Sequence, residues 1–194
     1  NYRLGSVGKP LTNMEAKIEN PDEEGIGEIL LRGPSVMMGY YENEEATKKA
    51  LDDEKWLHTG DFGYIDKDGY IFITGRKSDI IVLRNGKNIY PQELEFVINK
   101  LPYVEESMVY ARNKSKTDTV LGAKIVYNKD EIIAKFGKQK DYKELVWEDI
   151  KEMNKELPDY KHIKEISLTD EPLEKTTTQK VKRFVEMKKI ETSK

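Results

Sequence analysis

The spacing of apolar residues changes part-way along the chain. Up to about residue 75 the apolar residues come in short runs suited to strands. Residues 28–32 (EILLR) read as a short apolar strand. Asn43 is placed to cap a short helix reaching Ala50, with Glu44 and Glu45 in its first turn, where the helix dipole favours acids. Residues 62–65 and 70–74 flank Asp66-Lys67-Asp68-Gly69, a hairpin pattern with Gly69 available for a left-handed φ.

From about residue 79 strands and helices interleave. Residues 80–83 read as a strand followed by an Asn85-Gly86 turn. Pro91 suits the first position of a helix whose apolar stripe is Leu94, Val97, Ile98 and Leu101. Residues 107–111 and 120–127 read as strands, and 142–157 as an amphipathic helix ended by Pro158. Residues 163–168 form a further strand, and 181–189 a last helix. The fold class this predicts is α+β: a small N-terminal β subdomain over residues 1–77, then an α+β domain over residues 78–194. The junction carries no long polar linker, which predicts a tight hinge.

Composition narrows the classes. The 194 residues are 37% hydrophobic and 36% charged, the pattern of small cores under a heavily solvated surface. Lys plus Arg (33) nearly balance Asp plus Glu (36), without the basic excess of a dedicated nucleic-acid binder. There is no cysteine, so disulfides and cysteine–zinc sites are excluded, and two histidines cannot build a histidine-rich metal site. No apolar run approaches the roughly 20 residues of a membrane span. The expected location is cytoplasmic, with room for peripheral attachment to a membrane. The chain opens at Asn1 and reads as a piece of a longer protein.

Three segments carry candidate chemistry. In WLHTGD (56–61), Gly60 would let the backbone approach a ligand closely, and the two oxygens of Asp61 are enough to accept from both hydroxyls of a ribose. The plainer alternative is an aspartate capping a turn. In GRKSD (75–79), Arg76 offers a permanent forked cation suited to phosphate or ribose oxygens; the alternative is a surface salt bridge. In KTTTQKVKR (175–183), small hydroxyl residues precede Lys180, Lys182 and Arg183; the alternatives are a mobile polar loop and a solvated basic face.

Taken together and in this order, the segments resemble the adenylate-forming superfamily of acyl-CoA synthetases, peptide-synthetase adenylation domains and luciferases. The resemblance covers nearly the whole chain and includes Gly27-Glu28-Ile29 through Gly33 and Gly39-Tyr40-Tyr41. It implies that residues 1–77 close the large AMP-binding domain and that 78–194 form its mobile C-terminal domain. Asp61 would bind the ribose, Arg76 and Ile73 would contact ATP or AMP, and Ser78 would be the hinge. Gly86 would face the pantetheine channel, and Lys180 would be the catalytic lysine. The substrates implied are a fatty acid, ATP with Mg2+, and coenzyme A, with neither a nucleic-acid partner nor a transmembrane segment.

The sequence also departs from the family pattern. Gln179 stands where a glycine usually precedes the lysine, and Ser78 stands where Asp or Lys is frequent, although Asp79 matches. Gln179, and a segment at 83–86 one residue longer than in short-chain synthetases, look more like the long-chain fatty-acid–CoA ligases. The family's Ser/Thr/Gly-rich phosphate loop and its adenine motif do not occur in these residues, so the chain alone is expected to be inactive. Two other readings stay open: loading of a carrier-protein thiol instead of coenzyme A, and a binding or regulatory module.

Overall fold

The computed structural model describes residues 3–113 and 119–192. The fold is α+β and divides into two compact units, one ending at Ile80 and one beginning at Ile81, three residues beyond the junction expected from the sequence.

The first unit is an antiparallel meander of four strands in chain order: β1 (Glu15–Glu19), β2 (Gly27–Arg32), β3 (Leu57–Ile65) and β4 (Ile71–Arg76). Ile26, Ile29, Leu30 and Ile71 are among its buried apolar residues, while Trp56 is covered by the Lys17 ammonium and the Arg32 guanidinium, each 4.4 Å from the ring centre. Helix α1 (Glu44–Ala50) begins where Asn43 Oδ1 accepts the Ala46 N–H at 2.9 Å. The β3–β4 turn closes as its residues dictate: Asp66 Oδ1 accepts the Asp68 and Tyr70 N–H groups, and Gly69 has φ +84°. A 3-10 turn (Lys77–Asp79) follows β4.

The second unit opens with a two-stranded ribbon, β5 (Ile81–Val82) and β6 (Asn88–Ile89), and helix α2 (Pro91–Ile98). Its main sheet runs β7 (Val104–Asn113), β8 (Thr119–Tyr127), β9 (Ile163–Thr169). β7 and β8 pair antiparallel; β8 and β9 pair parallel, so the chain returns through a crossover made of α3 (Lys129–Phe136) and α4 (Lys143–Asn154). One sheet face, with Val109, Ala123, Ile125 and Ile166, packs on α2, α3 and α4 through Leu94, Ile98, Ile132, Val146 and Ile150. The other face, with Met108, Tyr110 and Val126, is covered by Leu173, Val181 and α5 (Arg183–Thr192) through Met187 and Ile190. A side chain at Gly122 would meet the Tyr110 ring at 2.5 Å, so that ring lies where only glycine leaves room.

The structure differs from the sequence reading at several places, including strand β1 and the early start of β3 at Leu57. α3 was not expected; Asn128 caps it by accepting the Asp130 and Glu131 N–H groups. α4 stops at Asn154, short of Leu157: the N–H groups of Lys155, Glu156 and Leu157 turn to carbonyls three residues back, and the Asn154 side chain bonds both backbone groups of Ile163. The strand expected over residues 80–83 is only two residues long. The last helix starts at Arg183, because Val181 is paired with Lys175 in a hairpin.

Candidate functional site

Asp61 lies on a bulge of β3. Between the pairs Glu28↔Phe62 and Leu30↔His58, strand β2 contributes one residue and β3 contributes Thr59, Gly60 and Asp61. The two extra residues cannot join the ladder, so they loop out, and Gly60 makes the bend at φ +70°. Thr59 fills the gap by donating its hydroxyl to Ile29 O at 2.6 Å and accepting the Asp61 N–H at 3.1 Å. The segment that carries the candidate ribose acceptor is therefore a pinned interruption of a strand.

Arg76 stands opposite Asp61 in the β3–β4 register, with Nε 3.3 Å from Asp61 Oδ1. The contact uses one carboxylate oxygen and one guanidinium nitrogen, so both groups keep hydrogen-bonding capacity for a ligand. Ile73 lies three residues earlier on β4 and is about half exposed. Under the bulge sits a residue that the sequence reading passed over. Glu28 is buried and accepts from the Gly60 N–H at 3.2 Å, the Lys77 ammonium at 2.7 Å and His58 Nδ1 at 3.3 Å. Burial pushes this carboxyl up, but the hydrogen bonds from Lys77 and His58 outweigh it and hold the group below its usual range. The available signal was one acid in an apolar strand, GEILLR.

Ser78 is exposed in the 3-10 turn, its hydroxyl donating to Asp79 Oδ1 at 3.0 Å. Gly86 forms the tip of the β5–β6 ribbon at φ +80°, with nothing within 4 Å of where a side chain would start. Beside this tip a cleft of about 250 Å³ is lined by Leu83, Arg84, Asn85, Tyr160, His162 and Lys164. Lys87 stacks over the Tyr160 ring at 4.5 Å.

Lys180 is exposed near the tip of a second hairpin, whose stem is the Lys175↔Val181 pair. The Gln179 N–H donates to Thr176 O at 3.0 Å, and the Thr176 N–H donates to Lys180 O at 2.8 Å. Gln179 takes φ +62°, the left-handed region, and thus fills a position suited to glycine. The run KTTTQK is an ordered turn. Its flanks are tied down by carboxylates. Arg183 Nη2 donates to both carboxylate oxygens of Glu95 (2.8 and 2.9 Å), and Lys175 pairs with Glu106 at 2.5 Å. Glu186, fully buried, was also missed; it stands four residues before Ile190, where helical phase asks for an apolar side chain.

Asp61, Arg76 and Ile73 thus belong to the first unit, and Gly86 and Lys180 to the second. Among the described residues one cluster has ligand-like spacing, Glu19, Glu28 and His58. It does not suit a magnesium ion, which favours oxygen donors, because one donor is an imidazole and the Lys77 ammonium already sits on Glu28. No helix among the described residues is long and apolar enough to cross a membrane.

Comparison with known proteins matches residues 78–192 to the AMP-binding enzyme C-terminal domain and residues 1–41 to the AMP-binding enzyme family. The chain is 39% identical over 131 residues to the human long-chain-fatty-acid–CoA ligase ACSBG1, covering 67% of this chain and 18% of that protein. It is 40% identical over 181 residues to the 2-succinylbenzoate–CoA ligase of Listeria innocua, covering 93% of this chain and 34% of that protein. Among solved structures it resembles the Bacillus subtilis o-succinylbenzoate CoA synthetase in complex with the acyl-adenylate intermediate OSB-AMP (33% identity, TM-score 0.75, 94% of this chain and 35% of that one). The chain therefore spans between about a sixth and about a third of the length of these relatives.

Proposed function

This chain belongs to the AMP-binding enzyme family through its C-terminal domain, and we propose that it is the C-terminal part of an ATP-dependent acid–CoA ligase acting on long-chain fatty acids. The parent enzyme works in two steps. A carboxylate attacks the α-phosphate of ATP to give acyl-adenylate and pyrophosphate; the coenzyme A thiol then attacks the acyl-adenylate and AMP leaves.

The observation that carries this reading is the Asp61–Arg76 pair on the β3 bulge. A glycine bend pushes a carboxylate out of the sheet with a guanidinium held 3.3 Å away. Asp61 accepts from the ribose hydroxyls, Arg76 donates to ribose or phosphate oxygens, and Ile73 offers an apolar wall. Lys180 supplies a mobile point charge to the α-phosphate, where negative charge builds in the first step. Ser78 absorbs the backbone rotation that exchanges Lys180 for Gly86 between steps, and the open tip at Gly86 borders the pantetheine channel. Magnesium, when bound with ATP, neutralises phosphate charge; its ligands are assigned to the rest of the enzyme.

The long-chain assignment is supported by the human relative, by the length of the 83–86 segment and by Gln179. The test is pyrophosphate release by the full-length enzyme with palmitate, octanoate and 2-succinylbenzoate in turn, followed by thioester formation with coenzyme A or a carrier protein. Palmitate preference with coenzyme A as acceptor supports the proposal. Preference for 2-succinylbenzoate, or transfer to carrier protein alone, overturns its substrate part. No acid-dependent pyrophosphate release overturns all of it.

A further inference from the structure

We propose that Glu186 is a positioning residue that fixes where the Lys180 hairpin is presented. Its side chain is 1% exposed and accepts from three donors on three segments. These are the Lys124 ammonium of β8 at 2.7 Å, the Glu174 backbone N–H at 2.9 Å and the Lys189 ammonium at 3.0 Å. The Glu174 bond matters most for geometry. The carbonyl of the same residue accepts the Lys182 N–H at 2.7 Å, so Glu174 closes the base of the hairpin whose next pair is Lys175↔Val181. Glu186 therefore ties the first strand of the hairpin to the helix that continues its second strand, and Lys124 ties both to the sheet.

The arrangement is stiff where stiffness matters. Lys124 is itself only 13% exposed, and a buried carboxylate with several donors has no other low-energy place to go. The donors outweigh the effect of burial and hold the Glu186 carboxyl at about 2. At the tip the Thr176 hydroxyl bonds locally: it lies 3.0 Å from that of Thr178 and accepts the Lys180 N–H at 3.2 Å. A cation meant to meet charge that develops at one atom gains from such a fixed base, since small misplacements cost rate steeply. The catalytic consequence rests on the proposed role of Lys180; the anchoring of the hairpin does not.

The experiment uses the full-length enzyme with Glu186→Gln. It measures amide hydrogen exchange across residues 173–183, thermal unfolding, and both half-reactions. The expected result is exchange at Gln179 and Lys182 faster by about tenfold, the scale of one charge-assisted hydrogen bond. Exchange at Val109 and Ala123 in the sheet should be unchanged. Adenylation kcat should fall by about tenfold at unchanged KM for ATP, with thioester formation from preformed acyl-adenylate within about twofold of wild type. Unchanged hairpin exchange overturns the proposal. So does a parallel loss of both half-reactions together with a lowered unfolding temperature, which marks a purely structural residue. Faster hairpin exchange with adenylation unaffected, when Lys180→Ala is also without effect, leaves the anchoring standing and removes Lys180 from catalysis. If Glu186→Gln does not fold, Lys124→Met, which removes the tie to the sheet and keeps the Glu174 bond, is read by hydrogen exchange: faster exchange at Lys182 supports the proposal and unchanged exchange overturns it.

Discussion

Replacing Gln179 by glycine should stabilise the second unit, although it removes a whole side chain. Gln179 sits at φ +62°, and a residue with a Cβ pays roughly 1–2 kcal/mol there relative to the right-handed regions. Glycine escapes that strain but brings more freedom to the unfolded chain, worth roughly 0.5–1 kcal/mol in the opposite sense. Gln179 is exposed, so little packing is lost. The balance favours glycine by roughly 0.5–1 kcal/mol, which for a domain of this size raises Tm by roughly 2–6 °C. Gln179→Val, β-branched in a left-handed position, should lower Tm instead. The assay is thermal unfolding of the three proteins followed by circular dichroism under one buffer condition. A Tm for Gln179→Gly at or below wild type, or a Gln179→Val variant as stable as wild type, would refute the argument that backbone strain governs this position.

Asp61→Ala in the full-length enzyme should lower kcat/KM for ATP by roughly tenfold to a hundredfold, the range of charge-assisted hydrogen bonds worth about 1.5–3 kcal/mol; steady-state kinetics that match wild type would reduce Asp61 to a turn residue. Ser78→Pro should slow thioester formation more than adenylation, because proline holds φ near −65° while a hinge visits two backbone states; equal effects on both rates would move the hinge off Ser78. Acid should destabilise the second unit through Glu186, whose folded pKa of about 2 lies below the ordinary 4.5. That contribution is present above pH 4.5 and is lost as pH falls from 4.5 towards 2, on the order of 3 kcal/mol in all. Urea midpoints across this range should fall less steeply for Glu186→Gln, and parallel curves would contradict the assignment.

The elements whose signal is local were legible in the sequence. Asn43 capping α1, Gly69 in the β3–β4 turn and Pro91 opening α2 each act on backbone within a few residues. Residues whose partners are distant along the chain were not legible. Glu28 finds Gly60 on β3 and Lys77 in the 3-10 turn after β4, and Glu186 finds Lys124 some 62 residues away; from sequence both are ordinary acids. The β3 bulge was hidden for a related reason. A bulge is a mismatch between two strands, and WLHTGD displays only one of them. The order of the KTTTQK hairpin was masked by its composition, since threonines and a lysine are equally at home in a loose loop. The family resemblance rested on the short motifs themselves, and the match over residues 78–192 agrees with it.

The most direct test of the account is the pair of half-reaction rates for Lys180→Ala in the full-length enzyme. Lys175→Ala and Lys182→Ala serve as controls for loss of basic charge. If the ammonium meets the α-phosphate only in the first step, its effect belongs to that transition state. Adenylation, read as pyrophosphate release, should fall by about 10²–10³-fold, the scale for removing one electrostatic stabiliser. Thioester formation from preformed acyl-adenylate and coenzyme A should proceed at near wild-type rate. A Lys180→Ala variant that behaves like its neighbours, or that damages both half-reactions equally, would contradict the assignment and leave the hairpin as a solvated basic turn.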